Sequence, residues 1–256
     1  VYTAITPPPA LAPYIINFWY TDGPISAQAQ AIHSDGCISI LLVLSGESVI
    51  KDVSMRAGAY LLGPQTTSRL WHFNTHALHM VGARLTPLGA KRLSNIPLKY
   101  IKNECIELQE VLNTGFLKAK VMTPKLTPLQ RIHALCSWLE HHFNKTNYQL
   151  PLAFSTTLIQ IDNQPRSIKL AHMYDKLGLN SRRVERAFIE SIGMSPKEYA
   201  TLVEVFNSRN AIKHSPNKPL TDIAHDLEYV DQSHFIRQFK KVMQITPKQY
   251  RTRLAR

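Results

Sequence analysis

The last 90 or so residues of this chain contain an internal duplication, so this region must fold as two like units. Ser195-Pro196-Lys197-Glu198-Tyr199 returns as Thr246-Pro247-Lys248-Gln249-Tyr250, an offset of 51. At the same offset Val184, Arg186, Phe188, Ile192 and Met194 match Phe235, Arg237, Phe239, Met243 and Ile245. Further upstream the offset is 50, where Leu170, Met173, Leu177 and Leu179 match Leu220, Ile223, Leu227 and Tyr229. A difference of one residue in a tight turn between two helices accounts for the change.

Each copy has the parts of a helix-turn-helix. A first helix, about Ile168 to Lys176, keeps Leu170, Met173 and Leu177 on one face. Gly178 follows, where a left-handed turn costs least. Asn180 or Ser181 caps a second helix in which Val184, Phe188 and Ile192 face inward at i, i+4, i+8. That leaves Ser181, Arg182, Arg183, Glu185, Arg186 and Ile189 on other faces. In the second copy Asp231 is the cap and Phe235, Phe239 and Met243 face inward. Gln232, Ser233, His234, Ile236, Arg237 and Lys240 then lie outside. Guanidinium and amide groups early on an exposed helix suit the base edges of a DNA major groove. A lone exposed arginine is usually solvated or salt-bridged. Inside this repeat the arginines read as DNA contacts, with base and phosphate contacts not separable. Phe188, Phe239, Tyr199 and Tyr250 read as core.

Each copy closes alike, with Ser195 or Thr246 capping a new helix and Pro196 or Pro247 at its first position. The helix from Pro196 to about Lys213 would be roughly 27 Å long at about 1.5 Å per residue. Two recognition helices at its ends would stand about one DNA turn apart, near 34 Å. Charge agrees: residues 161–256 hold 17 Lys and Arg against 10 Asp and Glu, while residues 1–160 hold 13 against 8. A basic C-terminal third suits a polyanion, because phosphate neutralisation releases counterions.

The first part of the chain, to about residue 112, is punctuated as a β-rich domain. Short runs at Ile15 to Tyr20, Ile38 to Leu44, Ser48 to Val53, Tyr60 to Leu62, Arg69 to Phe73 and Leu78 to Leu85 alternate with turn formers. These include Asp22-Gly23, Asp35-Gly36, Ser45-Gly46 and Gly63-Pro64. A short helix is expected at Pro87. From about Pro124 the period turns helical, with Ile132, Leu135, Leu139 and Phe143 on a face that serves either the core or a dimer contact. A loop over Asn144 to Gln149 and a helix from about Pro151 to Asp162 follow. The expected fold is α+β: a small N-terminal β-barrel domain with helices, residues 1–150, and an all-α C-terminal domain, residues 151–256.

Other classes find little support. No apolar run approaches the roughly 18 residues of a membrane span, and the N-terminus carries no basic start with an apolar stretch behind it. Cys37, Cys105 and Cys136 are odd in number and form no CxxC pair, which fits a reducing cytoplasm without disulfides. No GxGxxG, GxxxxGK[ST] or GxSxG motif appears, so neither a cofactor nor catalysis is expected. His33, His72, His76 and His79 admit a metal site only if Arg69 to Phe73 and Leu78 to Leu85 are adjacent strands. A metal-dependent barrel enzyme fused to a DNA-binding domain is the alternative that this would open.

The stretch Ile223-Ala224-His225-Asp226-Leu227 through Asp231-Gln232-Ser233-His234-Phe235, then Arg237, Phe239, Thr246-Pro247 and Tyr250, resembles the second-unit signature of the AraC/XylS family of bacterial regulators. The resemblance covers about residues 160–256. It implies that helices over about Ser181 to Ser191 and Asp231 to Val242 enter the major groove. The base-facing residues it implies are Arg182, Glu185, Arg186 and Ile189, then Gln232, Ser233, Ile236 and Arg237. Tyr174 stands where the family has a small alanine, and Glu228 and Val230 replace the usual Gly and Ser of the second turn. The N-terminal part is more faintly similar to the family's regulatory domain, through Pro13 to Trp19, His33-Ser34-Asp35-Gly36-Cys37, Gly63-Pro64-Gln65 and Gly82 to Pro87. It implies a cupin-like barrel that senses a small-molecule effector, forms a homodimer, or has lost its ligand and only sets oligomeric state. The implied partners are double-stranded DNA and RNA polymerase.

Overall fold

The computed structural model describes residues 2–25, 29–32, 36–93, 96–163 and 169–254, and of Phe116 the backbone only. The chain divides into two compact units. Val1–Ile32, Cys37–Pro64 and Arg69–Gln149 make the first, and Leu150–Arg256 with the short stretches His33–Gly36 and Gln65–Ser68 the second.

Two antiparallel sheets build the first unit. The larger has strands β1 (Tyr2–Ile5), β2 (Ile15–Thr21), β4 (Ile38–Ser45), β7 (Gly58–Leu62), β9 (His79–Leu85) and β10 (Cys105–Glu107), in the order β1-β2-β9-β4-β7-β10. The smaller has β3 (Ala29–Ile32), β5 (Ser48–Ile50), β6 (Val53–Met55) and β8 (Arg69–Phe73), in the order β3-β8-β5-β6. Side chains alternate across a strand, so a sheet covered on both faces must be apolar at successive positions. Strand β4 is so built. Ile38, Ile40 and Leu42 join one core with Phe18, Val81 and Ala83, while Leu41 and Val43 join another with Trp19, Met80, Ile50 and Met55. Gly82 is obligatory in this layer, because a Cβ there would lie 2.4 Å from the Trp19 ring and 2.6 Å from the Ile40 carbonyl oxygen.

Helices α1 (Pro87–Leu93), α2 (Gly115–Val121) and α3 (Pro128–Asn144) supply the rest of the first core. Ile132, Leu135, Trp138, Leu139 and Phe143 of α3 pack there with Leu85, Leu93, Leu117 and Val121. The apolar face of α3 therefore serves the core and not a dimer contact. The expected strand over Ser48 to Val53 is instead a hairpin, β5 and β6 pairing Ile50 with Val53. The chain reverses at Lys51, whose φ is 59° and whose ammonium lies 2.7 Å from the Glu104 carboxylate. Lys51-Asp52 lacks the glycine that announces such a turn, so the reversal is silent in sequence.

The second unit is helical: α4 (Leu152–Asn163), α5 (Leu170–Leu177), α6 (Ser181–Ile192), α7 (Pro196–His214), α8 (Leu220–Asp226), α9 (Gln232–Met243) and α10 (Pro247–Leu254). Ile168, the expected start of α5, lies outside the described residues. One core runs through the unit: Phe154 of α4, Val184 and Phe188 of α6, Leu202, Val205 and Ile212 of α7, Ile223 of α8, Phe235 and Phe239 of α9, and Tyr250.

The duplication is visible in the backbone. The Gly178 and Leu179 amides donate to the Asp175 and Tyr174 carbonyls, and fifty residues on Glu228 and Tyr229 donate to His225 and Ala224. Gly178 and Glu228 are both left-handed, at φ 63° and 56°, as are Gly193 and Gln244, at 73° and 60°. The offset then steps by one residue: Leu179 alone separates Gly178 from the cap Asn180, whereas Tyr229 and Val230 separate Glu228 from the cap Asp231.

Candidate nucleic-acid interface

Helix α6 starts where the Asn180 side chain accepts a hydrogen bond from the Arg183 amide at 3.1 Å. Asp231 caps α9 in the same way, accepting from the His234 amide at 2.6 Å. Each cap fixes the rotation of its helix, and burial of Val184, Phe188 and Ile192, or of Phe235, Phe239 and Met243, decides what faces away. Of the twelve expected positions, Ser181, Arg182, Arg183, Glu185, Arg186, Gln232, Ser233, Arg237 and Lys240 are exposed.

Ile189, His234 and Ile236 are half-buried. Ile236 packs against the helical core. The His234 ring stands edge-on to Tyr229 at 5.6 Å, its Nδ1 is buried without a partner, and its Nε2 lies 3.3 Å from the Gln238 amide nitrogen. The reading by i, i+4, i+8 spacing draws too narrow a stripe for α9. Val242 also buries, and its inward arc reaches the flanking residues.

None of Arg182, Arg183, Arg186, Arg237 and Lys240 makes an ion pair or side-chain hydrogen bond with another described residue. The first turn of α6 carries no acidic residue. Arg182 and Arg183 stand there against the positive end of the helix dipole, an arrangement that is unfavourable by about 0.3–1 kcal/mol per charge. Burial and the Glu185 carboxylate push the Tyr174 phenol up to about 12, which places α5's bulky ring beside an exposed acidic group of α6.

Helix α7 carries a reciprocal cap, with the Ser195 hydroxyl accepting from the Glu198 amide and the Glu198 carboxylate from the Ser195 amide. Its 19 residues span about 28 Å at about 1.5 Å per residue. It is tied to the second copy by a buried pair, Ser208 and Tyr229, whose hydroxyls lie 2.9 Å apart.

His72 and His79 do not share a sheet, the first being on β8 and the second on β9, so the adjacency that a shared site needs is missing. His79 instead lies 2.5 Å from the Asp22 carboxylate. His33 is outside the described residues. Among the described residues no group of three or more His, Cys, Asp or Glu could hold a metal ion, and no helix is long and apolar enough to cross a membrane. Burial and the nearby Glu104 push the Cys105 thiol up to about 12, which keeps it protonated.

A helix-turn-helix domain model matches residues 173–253, and a model described as a domain of unknown function (DUF6597) matches residues 3–107. The chain is 20% identical over 183 residues to the HTH-type transcriptional activator RhaS of Pectobacterium carotovorum subsp. carotovorum (strain PC1), covering 71% of this chain and 57% of that protein. With RhaS of Yersinia pestis (strain Pestoides F) it shares 27% identity over 93 residues, 36% of this chain and 34% of that protein. The chain thus spans less than two thirds of these relatives. Among solved structures, ToxT from Vibrio cholerae O395 is similar at a TM-score of 0.48 and 13% identity, covering 93% of this chain and 98% of that one. The second unit thus carries a helix-turn-helix domain over residues 173–253. These likenesses agree with the resemblance of residues 160–256 to the AraC/XylS family.

Proposed function

We propose that residues 151–256 form a sequence-specific DNA-binding domain of two helix-turn-helix units, α5–α6 and α8–α9, held apart by α7. Helices α6 and α9 enter successive major grooves of one duplex. Arg182, Glu185, Arg186, Gln232, Ser233 and Arg237 meet base edges, with Ser181, Arg183 and Lys240 exposed on the same helices. One observation carries this reading: Arg182, Arg183, Arg186, Arg237 and Lys240 are exposed on the two capped helices with no ion pair to another described residue, and two of them stand against a helix dipole. Phosphates would supply the missing counter-charge.

Residues 1–150 act as the regulatory domain, a cupin-like barrel in which the two sheets face each other. Leu41, Val43, Ile50, Met55 and Met80 are at most 2% exposed, so the space they share is closed to water. That favours a domain that sets oligomeric state, as a homodimer, over one that takes a small-molecule effector between its sheets. The RhaS relatives are named activators, and activation through RNA polymerase is the extension to this chain.

The test is binding of the full chain to duplexes selected from random DNA. Arg186→Ala and Arg237→Ala should each weaken binding by about 1–3 kcal/mol and relax preference at one position. Equal weakening on every sequence would make the residue a phosphate contact, and no selected sequence at all would overturn the reading.

A further inference from the structure

Val230 is the residue that the duplication leaves without a counterpart. Tyr229 is buried and takes the place of Leu179 against the core, so the residue inserted before the cap of α9 is Val230. It is 85% exposed, the most exposed large apolar side chain among the described residues. A single exposed valine is ordinary on a protein surface. Its place gives it meaning, because it stands just before the cap Asp231, and Gln232 and Ser233, also exposed, open the helix after it.

We propose that Val230 reads the 5-methyl group of a thymine at the edge of the sequence met by α9, an inference that rests on the DNA-binding reading above. In the major groove the thymine methyl is the apolar feature that a base pair presents, and the first residues of a recognition helix are those that reach base edges. A branched side chain with almost its whole surface in water can cover that methyl without leaving any packed position. The other apolar candidates have less to offer, since Ile189 and Ile236 are half-buried and Ile236 packs against the core. The first unit has no such residue in its turn.

The experiment uses the full chain and a duplex selected from random DNA, in which each thymine is replaced in turn by deoxyuridine. This removes the methyl and nothing else. One replacement should weaken the natural chain about fourfold, the equivalent of about 0.8 kcal/mol for one apolar carbon at about 1.4 kcal/mol per tenfold. Val230→Ser, which leaves the core untouched, should bind both duplexes equally. If no thymine discriminates, or if Val230→Ser still discriminates, the inference is overturned while DNA binding stands. A natural chain that selects no duplex would end both.

Discussion

Single residues carry the sharpest energetic consequences of the duplication. The two turns demand the same left-handed backbone, yet one has Gly178 and the other Glu228. A side chain makes that conformation about 1–2 kcal/mol less favourable. Gly178→Ala should lower stability by about that amount, since space around Gly178 is open and only the backbone objects. Glu228→Gly should raise stability by up to about 1 kcal/mol, the looser unfolded chain offsetting part of the gain. Urea midpoints decide, and a fall for Glu228→Gly would sink the account.

His142 adds a pH dependence. Burial, with its ring 4.1 Å from that of Trp138, holds the imidazole below the ordinary histidine range despite its bond to the Trp138 carbonyl, and Lys145 and His141 add to the effect. The fold prefers the neutral ring, so its contribution is full above the unfolded pKa of about 6.5 and is lost as pH falls towards the folded one. Thermal midpoints should drop as pH is lowered through that range, and His142→Gln should flatten the drop.

At the scale of elements, α7 is a spacer whose position depends on polar as well as apolar contacts. Ser208 donates to the Glu204 carbonyl at 2.8 Å, which leaves its oxygen to accept from the Tyr229 hydroxyl. Burial, with Glu204 nearby, raises the Tyr229 phenol well above its usual range despite the bond to Ser208, so it stays a donor. Ser208→Ala should cost about 1–3 kcal/mol by stranding that hydroxyl, and adding Tyr229→Phe should recover most of the loss. Additive losses in denaturation would show that the two hydroxyls act independently. The elements also differ in how far sequence reveals them. Helices α6, α7 and α9 are legible because cap, period and repeat agree. Strands β1, β3 and β10 are three or four residues long and largely half-buried, so they leave no alternation strong enough to read.

For the whole molecule, charge governs how the proposed binding to DNA responds to salt. The chain carries a net +12, and Arg182, Arg183, Arg186, Arg237 and Lys240 are exposed on α6 and α9 with no ion pair to another described residue. If each meets one phosphate, log K should fall with log salt at a slope of about −4.5, and every cation that reads a base makes it shallower. A flat response in gel-shift titrations would remove the electrostatic basis of the proposed interface. The site was legible to different depths. Arg182, Arg186, Gln232 and Arg237 follow from the apolar stripe opposite them. His234 and Ile236 do not, because an inward arc widens with what packs on it, and that is settled by neighbours distant in sequence.

The amino-acid order by itself determined the helical repeat, its caps and its basic outer faces, because these depend on contacts three, four or fifty residues apart in a regular pattern. Tertiary structure alone decided that His72 and His79 belong to different sheets, that α3 spends its apolar face on the core, and that Val230 stands in water. Each of these turns on which surfaces meet across long stretches of chain, and local periodicity carries no record of that.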